Sequence, residues 1–104
     1  MNPDDADVHI LMANYHAMLG ERADALTHLA SALRPRPNDA ETQFQAAIIY
    51  NQLGDRAQAL TALESAAARG YSPAELRAAP EFDSLRKEPR FQALLAKLDA
   101  KPKS

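Results

Sequence analysis

The chain matches itself when it is displaced by 34 residues. Between segments 3–35 and 37–69, 14 of 33 aligned pairs are identical. Alanine, with 22 copies, raises the number of chance matches, but glycine, proline, arginine and threonine also coincide. A self-match at one fixed offset indicates a repeat architecture, in which each unit buries its apolar face against its neighbours. We name residues 3–36 unit 1 and residues 37–70 unit 2.

Each unit is predicted to contain two helices separated by a glycine. In unit 1, Asp4 or Asp5 caps a first helix, and Gly20 ends it because glycine adopts the left-handed conformation that closes helices. The second helix is expected over about 22–34, where Pro35 blocks its continuation. The short connection predicts antiparallel helices.

Unit 2 repeats this plan. Asn38 or Asp39 is expected to cap its first helix, Gly54 breaks it, and the second helix reaches about Gly70. After Gly70 the period stops, so residues 71–104 form a separate C-terminal cap and tail.

The tail contains signals for three short helical segments. Ser72 and Glu75 form a capping box with Pro73 at the first helical position, and one further turn is expected over about 81–86. Pro89 opens the last helix, and one apolar stripe follows it at helical spacing: Phe91, Leu94, Leu95 and Leu98. We expect this helix to cover the open side of unit 2, because two repeats alone bury too little surface.

These residues resemble the tetratricopeptide repeat over about residues 3–71. In the first helix of each unit, the matches are a small residue and a large residue three positions later. At the turn, glycine is followed by an acidic residue. The second helices each have two small residues, and a proline follows the second helix of unit 1. They are Ala13 and Ala47; His16 and Tyr50; Gly20-Glu21 and Gly54-Asp55; Ala25, Ala32, Ala59 and Ala66; and Pro37. The chain departs from the pattern at His9, Gln43 and Tyr71, where the family has large apolar residues or a second proline.

The resemblance implies an all-α fold. We expect one domain over 1–104, an α-α superhelical fragment of antiparallel helix pairs with a capping helix. The segment 85–95 is similar to the ending found after the last repeat of many bacterial proteins of this family. It implies a C-terminal piece of a longer bacterial protein. The compartment that we expect is the cytoplasm, or the periplasm if the chain is cut from a longer one.

The family resemblance also implies a protein-binding groove lined by the first helix of each unit. The candidate partner-binding residues on this concave face are Ile10, Asn14, Met18, Phe44, Ile48, Asn51 and Gln52. Because several are apolar, we expect a helix or peptide of another protein there. The same spacing also fits a groove filled by the chain's own tail or by a missing upstream helix. The alternative function is self-association or a structural spacer.

Composition argues against other classes of function. The net charge of −2 is spread along the chain, without the basic stripe that nucleic acids require. No apolar run approaches the ~20 residues of a membrane span. His9 and His16 lie two turns apart, roughly 10 Å, too far to share a metal without other ligands. Cysteine is absent and no catalytic constellation is visible, so we expect no enzyme activity, metal or cofactor.

Overall fold

Helices make up the regular structure of the chain. The computed structural model describes residues 6–100. Its α-helices are α1 (Ala6–Met18), α2 (Arg22–Leu33), α3 (Ala40–Gln52), α4 (Arg56–Ala68), α5 (Pro73–Ala78) and α6 (Pro89–Ala100), with a 3₁₀ helix at Pro80–Leu85. Within residues 6–100 there is no β-strand. The prediction of an all-α chain is confirmed.

Glycines end α1, α3 and α4. Gly20, Gly54 and Gly70 have φ angles of 76°, 81° and 96°, in the left-handed region that side chains with a Cβ atom disfavour. Each lies within two residues of the end of its helix, as the sequence predicts. The predicted cap of α1 by Asp4 or Asp5 lies outside the described residues.

Two predicted side-chain caps are formed. The Asp39 carboxylate accepts hydrogen bonds from the backbone N–H of Thr42 at 2.8 Å and from its hydroxyl at 2.7 Å. These two bonds hold the pKa of Asp39 below its ordinary value. The Ser72 hydroxyl accepts from the backbone N–H of Glu75 at 3.4 Å. Asp39, rather than Asn38, therefore starts α3, and Ser72 starts α5.

Buried alanines are common in the packed helix pair of each unit. α1 packs along α2, and α3 packs along α4. The alanines that lie fully buried in these two helix pairs are Ala13, Ala25, Ala32, Ala46, Ala47, Ala59 and Ala66. Small side chains let helix axes approach closely. α3 also contacts α1 and α2, so the two units form one continuous core.

The tail covers unit 2 from two directions. α6 contacts α4 and α5, and the 3₁₀ helix contacts α3. Phe82 and Phe91 are fully buried, with Leu76 and Leu85 beside them in the same core. The prediction that the last helix packs on unit 2 is confirmed.

Replacing Phe82 by alanine tests how much the tail stabilises the fold. We expect Phe82→Ala to reduce the free energy of unfolding by about 3–5 kcal/mol, because a fully buried aromatic ring leaves a cavity. The exposed neighbour provides the control, since Glu81→Ala should change it by no more than about 0.5 kcal/mol. Urea unfolding measures both. A loss for Phe82→Ala as small as the control's would contradict this packing.

Candidate functional site

The unit 2 side of the predicted groove is covered by the chain itself. Phe44 and Ile48 are each 7% exposed. The Phe44 ring stacks on the Tyr71 ring with centroids 4.1 Å apart. The Phe82 ring contacts the Phe44 ring edge-on, with centroids 5.5 Å apart. The chain's own tail therefore lies on Phe44, whereas Ile48 is buried in the same core.

Asn51 is also engaged within the chain. Its amide nitrogen donates to the backbone oxygen of Glu81 at 2.9 Å and to the Ser84 hydroxyl at 3.2 Å. These bonds attach the 3₁₀ helix to α3. Gln52, one residue further on, is exposed. Two of the seven candidate binding residues, Phe44 and Asn51, thus contact the tail, and a third, Ile48, is buried in the core.

The unit 1 side of the groove is open. Ile10 and Asn14 are half-buried, and Met18 is 71% exposed. A shallow depression of about 310 Å³ lies between the N-terminal parts of α1 and α3. It is lined by Asp7, Ile10, Leu11, Arg36, Glu41, Thr42 and Gln45. Of the seven candidate residues, Ile10 lines this depression, whereas Met18 and Gln52 are exposed outside it.

Asn14 has an unsatisfied oxygen. Its side-chain carbonyl oxygen is buried and has no hydrogen-bond partner within residues 6–100. A buried polar atom without a partner costs about 1–3 kcal/mol. Such atoms are uncommon in native proteins, and they mark positions kept for a reason other than stability. Asn14 therefore remains a candidate binding residue beside the open depression.

The largest exposed apolar surface lies on α1. The large apolar side chains that are exposed within residues 6–100 are between 39% and 71% accessible: Leu11, Met12, Tyr15, Met18 and Leu19. We name these five residues the α1 apolar face. α1 buries alanines on its opposite side, at Ala6, Ala13 and Ala17. Within residues 6–100 these side chains stay exposed, although large contiguous apolar patches are uncommon on monomeric proteins.

The repeat register shows what covers the corresponding face in unit 2. Met12 and Tyr15 align with Ala46 and Ile49, which are 0% and 1% exposed on a helix that contacts both α1 and α2. Leu19 aligns with Leu53, which is half-buried. Leu11 and Met18 align with glutamines, at positions 45 and 52. The α1 apolar face thus corresponds to a surface that is largely buried in unit 2, whereas within residues 6–100 it stays exposed, and it is more apolar than its counterpart.

Three histidines converge between α1 and α2. The Nδ1 atoms of His9 and His28 are 3.1 Å apart, and the ring of His28 stacks on that of His16 with centroids 5.4 Å apart and planes 5° from parallel. His16 donates through Nδ1 to the Glu21 carboxylate at 2.6 Å. His28 thus lies against both α1 histidines, which the spacing of His9 and His16 alone did not reveal.

The repeat register contained a signal for this cluster. It aligns His16 with Tyr50, a large residue of the first helix of unit 2. It aligns His28 with Ala62, a small residue of the second helix. Ala62 is buried and Tyr50 is half-buried on two helices that pack along each other. His28 was therefore predictable as a neighbour of His16, although the geometry of the rings was not.

Comparison with known proteins gives no identification. No protein-family model, no curated protein and no solved structure matches the chain. Among the helices of the described range, none combines the length and the apolarity that crossing a bilayer requires. The resemblance to tetratricopeptide repeats therefore stays a prediction that depends on the residues quoted above.

The titration of Tyr71 tests its position over Phe44. Burial, together with the negative charges of Glu41 and Glu75, raises the pKa of Tyr71 to about 12. Because the folded value lies above the ordinary value of 10.0, the stability contributed by the neutral phenol is present below pH 10 and is lost as pH rises through about 12.

Ultraviolet titration of tyrosinate, with circular dichroism to follow folding, measures this effect. Tyr71→Phe should remove the highest titration step of the three tyrosines. An unchanged uppermost step in the variant would show that Tyr71 is not buried against Phe44.

The unsatisfied oxygen of Asn14 predicts an unusual gain of stability. Asn14→Leu should raise the free energy of unfolding by up to about 1–3 kcal/mol, because it removes a buried acceptor without a partner. Asn51→Leu is the matched control and should lower it, since Asn51 donates to Glu81 and Ser84. Urea unfolding compares the two. Equal losses in both variants would contradict the assignment for Asn14.

Proposed function

We propose that the chain is a protein-interaction module of the tetratricopeptide-repeat type, an α-α superhelical fragment with two units and a C-terminal cap. Its binding surface is the α1 apolar face, and the partner on that face is a second copy of the chain. The observation that carries the proposal is the exposure of five large apolar side chains, four on α1 and one in the turn that follows it. Contiguous exposed apolar patches are typical of protein-binding surfaces.

The size of the face supports association. Full burial of one large apolar side chain contributes about 1.5–3 kcal/mol. Loss of translational and rotational freedom on association costs roughly 4–15 kcal/mol. Each copy contributes five such side chains, which are already more than one-third exposed. Their combined burial is therefore of the size needed to hold two copies together.

Charge on α1 does not oppose contact with a second copy. The acidic side chain of α1 is Asp7, which lies 3.2 Å from the Arg36 guanidinium in an ion pair. The five residues of the α1 apolar face are all uncharged at neutral pH. A two-fold axis brings the same patch of both copies together, so an uncharged patch suits such a contact.

The other end of the repeat stack is closed by the tail. α6 contacts α4, and the 3₁₀ helix contacts α3, so the outer side of unit 2 is covered within the chain. A head-to-tail chain of copies would need this surface free. Contact through α1 instead gives a closed pair, with four units in the middle and a cap at each end. Such a pair exceeds the three repeats that a stable array needs.

The remaining open groove residues border this surface. Met18 belongs to the α1 apolar face, Ile10 lines the open depression together with Leu11 of that face, and Asn14 is half-buried on the same helix. The proposal assigns the chain no catalytic role and no cofactor. An apolar helix of another protein could cover this face in the same way as α1 of a second copy. Binding of such a protein is therefore an alternative outcome of the experiment.

Analytical ultracentrifugation over a range of concentrations tests the proposal. The native chain, of 11.4 kDa, should sediment as a dimer at high concentration. The double variant Leu11→Glu/Tyr15→Glu should be monomeric, because two carboxylates per copy would be desolvated in the interface. The control Gln58→Glu/Ala68→Glu adds two charges at exposed positions of α4 and should remain a dimer.

Each other outcome contradicts part of the proposal. A native chain that is monomeric at every concentration would contradict self-association. A dimer that survives in the α1 variant would place the contact on another surface. If the native chain is a monomer and a second protein co-purifies with it only when α1 is intact, the occupant is that protein and not a second copy. Circular dichroism must show equal helix content in all variants.

A further inference from the structure

The turn between α1 and α2 brings three metal-ligating side chains together. His16 lies in the last turn of α1, Glu21 immediately precedes α2, and Asp24 lies in its first turn. One ligand atom from each lies within 4.8 Å of the other two. Tetrahedral Zn²⁺, at about 2.0–2.2 Å from each ligand, holds ligand atoms roughly 3.3 Å apart. The carboxylates are exposed, so small side-chain rotations reach that separation.

The His16 ring is held in place by its neighbours. It stacks on His28 with centroids 5.4 Å apart, and Tyr15 lies edge-on at 5.8 Å and 70°. His28 is held in turn by the contact of its Nδ1 atom with that of His9, at 3.1 Å. A ring that is already oriented loses little conformational freedom when it binds an ion. His16 is therefore a preorganised ligand, and His9 and His28 are positioning residues.

Among the described residues, no lysine or arginine neutralises the two carboxylates. Arg22 lies between them in sequence, but its guanidinium binds the backbone oxygen of Leu53 at 3.2 Å and the Asp55 carboxylate at 3.4 Å. Within residues 6–100, neither Glu21 nor Asp24 forms an ion pair with lysine or arginine. Two carboxylates with an imidazole as their charged or polar neighbour, and no lysine or arginine partner in this range, favour a bound cation.

Unit 2 shows that the repeat scaffold does not need this arrangement. The positions that correspond to His16, Glu21 and Asp24 are Tyr50, Asp55 and Gln58. Asp55 caps α4 by accepting a hydrogen bond from the backbone N–H of Gln58 at 3.3 Å. Glu21 makes no such cap, and its carboxylate binds His16 instead. The three ligands are thus a property of unit 1 alone.

We propose that His16, Glu21 and Asp24 bind one divalent transition-metal ion of the Zn²⁺ class. One imidazole nitrogen and two carboxylate oxygens match the ligands that Zn²⁺ accepts, with water in the fourth position. Mg²⁺ and Ca²⁺ prefer oxygen ligands alone, so the imidazole selects against them. The bound ion ties the end of α1 to the start of α2 across the turn at Gly20.

Isothermal titration calorimetry with ZnCl₂ tests the site on the full chain. We expect one Zn²⁺ per chain, a higher melting temperature with Zn²⁺, and no binding of Mg²⁺. Asp24→Asn should weaken Zn²⁺ binding at least about tenfold, because it removes one of three ligands at an exposed position that the fold does not need. His16→Gln should abolish it. Circular dichroism without metal verifies that both variants fold.

His9→Gln is the matched control, since it removes a histidine of the same cluster that is not a ligand. Zn²⁺ binding should survive in this variant with a smaller loss than in Asp24→Asn. Loss of binding in His9→Gln together with normal binding in Asp24→Asn would place the ion between His9 and His28 and overturn the assignment. Absence of Zn²⁺ binding, or equal binding of Mg²⁺, would overturn the site itself.

Discussion

Fully buried alanines let the helices of each pair pack closely, and the rest of the structure depends on how little area these alanines bury. Three alanines in each unit are fully buried: Ala13, Ala25 and Ala32 in unit 1, and Ala47, Ala59 and Ala66 in unit 2. An alanine seam allows close approach of two helices but removes little apolar surface from water. A helix pair of this kind therefore takes most of its stability from larger side chains that pack against neighbouring elements.

Unit 2 has neighbours on both sides, whereas unit 1 has a neighbour on one side. α3 contacts α1 and α2, and the tail covers α3 and α4 through Tyr71, Phe82 and Phe91. α1 has no equivalent cover among the described residues, although it carries Leu11, Tyr15 and Met18 on its outer surface. The difference between the two units explains why the proposed binding surface lies on α1 and not in the groove of unit 2.

Local signals in the sequence predicted the helices well. Gly20, Gly54 and Gly70 end helices because their left-handed φ angles are open to glycine, and Asp39 and Ser72 cap helices through short-range hydrogen bonds. These effects act over a few residues, so they can be read from the chain itself. The stripe that begins at Phe91 likewise predicted a packed last helix.

Contacts between residues far apart in the sequence were harder to predict from the sequence. Helical spacing gives Phe44 the same pattern whether a partner or the tail covers it, and only the fold shows Tyr71 and Phe82 there. The convergence of His28 on His16 depends on the register of α2 against α1. That register follows from the repeat alignment, but the direction of each ring does not.

Hydrogen–deuterium exchange of the native chain at increasing protein concentration tests the central claim most directly. If a second copy covers α1, its backbone amides should exchange more slowly as concentration rises, while those of α6 should exchange at a constant rate. Exchange of α1 that is independent of concentration would contradict the claim that this helix is the contact surface.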